Sequence, residues 1–185
     1  MTSLHRRSKF VLLDRDGVIN QKILGGYVTS WEQFAFLPKT LASLRLLTRN
    51  NYSIIVVSNQ ACVAKGLMSN LQLRRLTDRW TRIVERRGGK IEAVYYCTHR
   101  AEDGCACRKP RPGLLHKARK AHGFSFSKTF LIGDSESDLL AAYQVGCPAI
   151  LISHSTSLSF EGLPHRPRAV VRDLFEASRH VIRGG

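Results

Sequence analysis

The chain alternates between short apolar runs and longer segments whose apolar residues recur at helical spacing. Phe10 to Leu13 is the first run, partly β-branched and aromatic and too short for a helix, so it reads as a buried strand. Ile23 to Trp31, which carries Gly25-Gly26-Tyr27-Val28, reads as a loop. Pro38 suits a first helical position, with Leu41, Leu44 and Leu47 on one face behind it and Asn50-Asn51 as the stop. Tyr52 to Val57 is a second buried strand. Ser69 is placed to cap a helix in which Leu73, Leu76, Trp80, Ile83 and Val84 recur at helical spacing, ending at Gly88-Gly89. Ile91 to Cys97 reads as a strand, and Pro112-Gly113 opens a helix through His122 with Gly123 at its end. Thr129 to Ile132 and Ala149 to Ile152 read as further strands, and Ala169 to Val171 is a short apolar segment near the end of the domain. Leu139 to Val145 is helical, and a last helix starts at Asp173. The polar segment from His154 to Arg168 predicts no element. A strand, a crossover helix and a second strand, repeated, predict a doubly wound α/β fold on a mainly parallel sheet.

Composition bounds the picture. At 185 residues the chain suits one domain over residues 1–185, with a substantial core. Its charge is unusual: 29 Lys and Arg face 14 Asp and Glu, a net +15, which favours anionic partners without choosing among them. Arg75, Arg79, Arg82 and Arg86 lie on another face of the second helix and read as a solvated basic face. Met1 to Lys9 is polar and basic, and the apolar run behind it is too short for a signal peptide or a membrane span. The expectation is a cytoplasmic monomer that does not engage a membrane. Five cysteines in such a chain argue for metal ligation or burial rather than a disulfide framework.

The chemistry is concentrated where strands should end. Asp14 and Asp16 follow the first strand and precede Gly17; Ser58-Asn59-Gln60 follows the second; Gly133-Asp134-Ser135-Glu136-Ser137-Asp138 follows the fourth. In an open parallel sheet, ligands bind outside the carboxyl ends of the strands. After the third strand come Cys97, His99, Cys105 and Cys107, four metal ligands within eleven residues, in a stretch with no large apolar side chain to fold around. Tetrahedral zinc would close that stretch. Cys62 and Cys147 lack such neighbours and read as small core or loop residues.

Asp14-Arg15-Asp16-Gly17-Val18-Ile19 resembles motif I of the haloacid dehalogenase superfamily of phosphohydrolases. Cys97-x-His99, Cys105-x-Cys107-Arg108-Lys109-Pro110, Gly26-Tyr27-Val28 and Asn59-Gln60 narrow the resemblance to its heptose 1,7-bisphosphate and histidinol-phosphate phosphatases. The similarity runs from about residue 9 to 150. No run between the motifs is long enough for a separate cap domain, so a zinc-stabilised loop at 97–107 and the loop at 23–31 are expected to form the rim. The resemblance implies Asp14 as nucleophile forming an aspartyl-phosphate and Asp16 as general acid and base. Mg²⁺ would be held by Asp14, the Asp16 main-chain carbonyl and Asp134. Ser58 and Lys109 would stabilise the transferring phosphoryl group, and Arg108 a second anionic group. Gly25, Gly26, Tyr27, Asn59 and Gln60 would contact substrate. The implied substrate is a small phosphorylated sugar, losing its 7-phosphate on the way to lipopolysaccharide precursors. The chain departs from the family at Ala61-Cys62, where many members have Ser-Gly, and at Ser135, where many have Lys.

Three other readings compete: a histidinol-phosphate phosphatase, a polynucleotide 3′-phosphatase drawing on the +15 charge, and a zinc-stabilised nucleic-acid-binding module. Carboxylates at successive strand ends weigh against the last, since a binder of polyanions gains nothing from acids in its cleft.

Overall fold

The computed structural model describes residues 9–153 and 165–184. Six strands form one parallel sheet in the order β3-β2-β1-β4-β5-β6. They are β1 (Lys9–Leu13), β2 (Tyr52–Asn59), β3 (Ile91–Cys97), β4 (Phe130–Gly133), β5 (Ala149–Ile152) and β6 (Ala169–Val171). The helices are α1 (Thr40–Arg49), α2 (Asn70–Arg86), α3 (Gly113–His122), α4 (Glu136–Gln144) and α5 (Leu174–Gly184).

Strand alternation sorts the apolar side chains into two cores. Val11 and Leu13 of β1, with Ile54 and Val56 of β2, pack with Leu44, Trp80 and Val181 from α1, α2 and α5. Leu12, Ile55 and Val57 point the other way and join Leu114, Leu115 and Ala142 from α3 and α4. Both faces are therefore covered, as a parallel sheet requires, and the fold is doubly wound. No separate cap forms among the described residues. Between β1 and α1, and between β3 and α3, the chain makes turns and isolated bridges only.

Local chemistry explains most element ends. Ser69 caps α2 in a reciprocal capping box with Gln72, which satisfies backbone donors that the first turn leaves open. Gly123 ends α3 in the left-handed conformation that glycine takes without steric cost. Some boundaries differ from those predicted. Pro38 lies outside α1, because Lys39 adopts a left-handed conformation (φ 62°) and the helix starts at Thr40. β2 continues through Ser58 and Asn59, which pair with Tyr96 and Cys97 of β3, so these two polar residues belong to the sheet. β4 is shifted by one residue to Phe130–Gly133, and a short 3₁₀ turn at Phe126–Lys128 precedes it. α4 starts at Glu136, with Ser135 as its cap, in line with a first turn at 135–138. Residues 154–164 of the polar segment, and residues 1–8, lie outside the described residues; Arg168 donates to the Ala149 carbonyl and leads into β6. Cys62 and Cys147 are buried, as expected.

The sequence order reverses between β1 and β4, and a crevice at the carboxyl ends of the strands is expected at that switch point. Asp14 and Asp134 leave those two strands side by side.

Candidate active site

Asp14 emerges from β1 with its backbone N–H donating to Ile132 of β4, so its carboxylate stands at the floor of the switch-point cleft. The cleft holds about 230 Å³ and is lined by Asp14, Asp16, Ser58, Lys109 and Asp134 at its base, with Lys22, Tyr27 and Arg108 toward its rim. Carboxylate oxygens of Asp14, Asp134 and Asp138 all lie within 4.8 Å of one another.

Lys109 answers that concentration of negative charge. Its ammonium is buried and donates to the Val57 carbonyl at 2.8 Å and to Asp138 at 2.5 Å, with Asp14 Oδ1 3.0 Å away. Burial works to lower its pKa, but Asp138 and Asp14 outweigh it and hold the ammonium above the ordinary lysine range. Asn59 fixes where this side chain starts: its carboxamide accepts from the Lys109 N–H at 3.0 Å and donates to the Lys109 carbonyl at 2.9 Å. Asp138 is fixed in turn by the Ser135 hydroxyl at 2.6 Å and the Ser135 N–H. Gly133 makes room for it, since a Cβ there would stand 2.3 Å from the Asp138 side chain.

The position of Asp14 perturbs its titration. Burial, and secondarily the charges of Asp138 and Asp16, raise its pKa to about 6 against the pull of Lys109. Its Oδ1 is buried and makes the ion pair with Lys109 without a hydrogen bond of good geometry. Three carboxylates gathered this closely are what a hard divalent cation such as Mg²⁺ would take, and the residues fit such an ion. Asp134 is also raised by burial, and Lys22 opposes that through an ion pair at 2.9 Å.

Asp16 is held differently from Asp14. Its carboxylate accepts from Arg15 through Nε and Nη2, from Asn20 Nδ2 at 2.8 Å and from Gln60 Nε2 at 2.7 Å. The Arg15 guanidinium is fully buried and lies 5.8 Å over the Tyr96 ring. Gln60 also donates to Ser58 Oγ at 3.1 Å.

The second cluster closes at the end of β3. Cys97, His99, Cys105 and Cys107 converge, with Cys97 Sγ 3.3 Å from Cys107 Sγ and 3.6 Å from Cys105 Sγ, and His99 Nδ1 3.2 Å from Cys107 Sγ. Zinc–sulfur bonds of ~2.3 Å around a tetrahedron place sulfurs ~3.8 Å apart, so the donor set fits a closed Cys₃His zinc site. Burial pushes the Cys97 thiol up to about 12. Burial acts in the same sense on Cys105, but hydrogen bonds, chiefly from Cys107, outweigh it and bring that thiol down to about 7.

Two residues expected to contact substrate lie off the cleft lining. Gln60 is fully buried, lines no part of the cleft, and commits its amide to Asp16 and Ser58. Gly25 also stays off the cleft lining; it takes a left-handed φ of 69° with open space where a Cβ would be, so its role is in the turn. Gly26, Tyr27, Asn59 and Arg108 do line the cleft. Sequence reasoning misses Lys22, Arg15 and Asp138 as site residues. Asp138 carries a signal, the acid four residues after Asp134, but it reads equally as a helix first-turn residue. The arginine face of α2 is exposed, with Arg79 packed 4.2 Å over the Trp31 ring, and none of its four arginines forms an ion pair among the described residues. A shallow depression of about 680 Å³ is lined by those four arginines together with Asp78 and Glu85.

This fold, with acids at the ends of β1 and β4 and a buried lysine between them, defines a haloacid dehalogenase-like hydrolase. Comparison agrees: the HAD-hydrolase-like family model matches residues 106–177. The chain is 33% identical over 177 residues to the D-glycero-β-D-manno-heptose-1,7-bisphosphate 7-phosphatase of Bordetella bronchiseptica, covering 94% of this chain and 98% of that one. It is 34% identical over 164 residues to the α-anomer enzyme of Photorhabdus laumondii, covering 83% and 88%. The crystal structure of the B. bronchiseptica enzyme complexed with magnesium and phosphate superposes with a TM-score of 0.88 at 32% identity, covering 96% of this chain and 99% of that chain. The chain belongs to the D-glycero-D-manno-heptose-1,7-bisphosphate 7-phosphatase family, and it is a phosphatase.

Gly17 offers a test of the cleft floor. It has φ 85°, and a Cβ there would fall 2.2 Å from Asp134 Oδ2. Gly17→Ala is expected to displace Asp134, and if that carboxylate holds Mg²⁺ the affinity should fall by ~10–100-fold, the usual cost of disturbing a ligand's support. Titration calorimetry with Mg²⁺ checks this; wild-type affinity would show that Asp134 is not a ligand.

Proposed function

We propose that the protein removes the 7-phosphate of a heptose 1,7-bisphosphate through an aspartyl-phosphate on Asp14. The observation that carries this reading is the Asp14 carboxylate at the cleft floor, with Lys109 Nζ 3.0 Å from one oxygen and Asp134 beside it. The reading assigns the work to the cytoplasm, where thiols such as those of the cysteine cluster stay reduced. No helix among the described residues is long and apolar enough to cross a membrane.

Asp14, Asp134 and the Asp16 main-chain carbonyl would hold Mg²⁺, because the oxygens of Asp138 are engaged by Lys109 and Ser135. When bound, the ion neutralises the repulsion between a carboxylate nucleophile and a phosphate dianion. The chain does the rest. Asp14 attacks phosphorus and the ester oxygen leaves with a proton from the carboxylic acid form of Asp16; Asp16 then takes a proton from the water that hydrolyses the aspartyl-phosphate. Ser58 and Lys109 face the same space and donate to the phosphoryl oxygens as charge moves onto them. Arg108, at the rim, suits the second phosphate of a bisphosphate. The Cys97, His99, Cys105 and Cys107 zinc site would be structural, since four protein ligands leave no open position. Cys107 is two residues from Lys109, so it sets where that ammonium begins.

The reading is tested by kcat/KM over both heptose bisphosphate anomers, histidinol phosphate and a 3′-phosphorylated oligonucleotide, with Asp14→Asn alongside. Heptose bisphosphate should be preferred, and Asp14→Asn should abolish turnover in every case. Preference for another substrate would overturn the assignment, and turnover by the Asp14→Asn variant would overturn the mechanism.

Metal analysis bears on the loop. One zinc per chain is expected, and Cys107→Ser should lower zinc content and activity together. A zinc-free preparation with full activity and unchanged stability would remove the scaffold role.

Asp14 also sets a pH dependence. Its folded pKa of about 6 lies above the ordinary 3.8, so the metal-free folded state binds the proton more tightly than the unfolded chain does. Stability of the metal-free protein should therefore fall as pH rises from about 4 to about 6. Mg²⁺ affinity should rise over the same window, because ion and proton compete for one carboxylate. Urea melts and Mg²⁺ titrations at several pH values measure both; parallel rather than opposite trends would contradict the assignment.

A further inference from the structure

Three cations reach the cleft, and their donors are not equally committed. The Lys109 ammonium lies at the cleft base with Val57, Asp138 and Asp14 around it. Arg108 stands at the rim, next to the cysteine cluster. Lys22 differs from both. It comes from the segment just after the β1 turn, its side chain is 48% exposed, and its ammonium reaches 2.9 Å to Asp134 Oδ2 across 112 residues of sequence.

Lys22 is the charge partner of Asp134 on the cleft side, and the residue after Asp134 supplies no cation. Ser135 commits its hydroxyl to Asp138 and Ser137. A phosphoryl group seated against Asp14 lies beside Asp134, within the sweep of the flexible Lys22 stem. With Asp134 engaged by a divalent cation, the Lys22 ammonium is repelled from that carboxylate, and the nearest anion is then the phosphoryl oxygen. We propose that Lys22 is a phosphate-contacting residue that exchanges Asp134 for the phosphoryl oxygens once metal and substrate are bound. This deepens the hydrolase reading above and rests on it for the identity of the site. The exchange is feasible because a compact ammonium on a four-carbon stem can swing between acceptors a few ångströms apart, which a planar guanidinium does less readily. It also gives metal and phosphate opposite relations to one side chain: Lys22 competes with the metal for Asp134 and cooperates with it in holding phosphate.

That opposition is the test. Titration calorimetry would measure Mg²⁺ binding without phosphate, and inorganic phosphate binding with saturating Mg²⁺, in wild type, Lys22→Gln and Lys22→Arg. Lys22→Gln should weaken phosphate binding by ~10-fold or more, the scale of a lost charge-assisted hydrogen bond. It should tighten Mg²⁺ binding by about two- to fivefold, the worth of a part-exposed ion pair. Lys22→Arg should keep most of the phosphate affinity. Unchanged phosphate affinity in Lys22→Gln would overturn the proposal. So would joint weakening of Mg²⁺ and phosphate with a lowered melting temperature, the signature of a structural brace. A wild-type protein that binds both ions yet hydrolyses no phosphomonoester would sink the hydrolase reading alone, since the lysine is judged on binding.

Discussion

A lysine ammonium buried at the base of a cleft is the constraint on which the rest of this site depends. Taking such a charge out of water costs several kcal/mol unless it is paired and hydrogen-bonded, and removing one member of a buried pair costs ~3–5 kcal/mol. Lys109 is matched by Asp14 from β1, Asp138 from α4 and a carbonyl of β2. Each partner carries its own requirement. Asp138 needs a residue without a Cβ at Gly133 and the Ser135 cap; the lysine backbone needs the Asn59 carboxamide. One buried charge thus ties three strands, a helix start and the segment after the cysteine cluster into a single arrangement.

The electrostatics of the molecule have two scales. The chain carries +15 overall, much of it on exposed faces such as the arginine row of α2. The cleft floor is the reverse, with three carboxylates converging on one point. A positive surface draws anions toward the protein, while the acids gathered at the floor suit a divalent cation. The arginine face sits on a helix whose apolar stripe is buried, and it contributes no group to the floor.

Two clusters with different donor chemistry share one sheet edge. Hard carboxylate oxygens stand at β1 and β4, thiolates and an imidazole at β3, and these sets suit different ions. Asn59, beside Cys97 in the β2–β3 ladder, bonds to the Lys109 backbone and so links them. A change in the cysteine cluster is therefore mechanically close to the phosphoryl site, although no ligand is shared.

The sequence by itself determined the fold class, the strand cores, the Ser69 cap, the Cys97/His99/Cys105/Cys107 cluster and the acids at the strand ends. These are properties of local pattern: period-two and period-3.6 hydrophobicity, turn chemistry, and ligands close together in the chain. Only the tertiary structure decided which polar residues face the cleft and which serve behind it. Gln60 sits one residue from Asn59 and reads as its equal, yet it is buried against Asp16 while Asn59 pins Lys109. Arg15 lies between two aspartates and reads as filler, yet its guanidinium is sealed over Tyr96 and holds Asp16. Lys22 and Asp134 are 112 residues apart. A side chain's charge partner is set by where strands from distant parts of the chain come to lie, and no one-dimensional pattern encodes that distance.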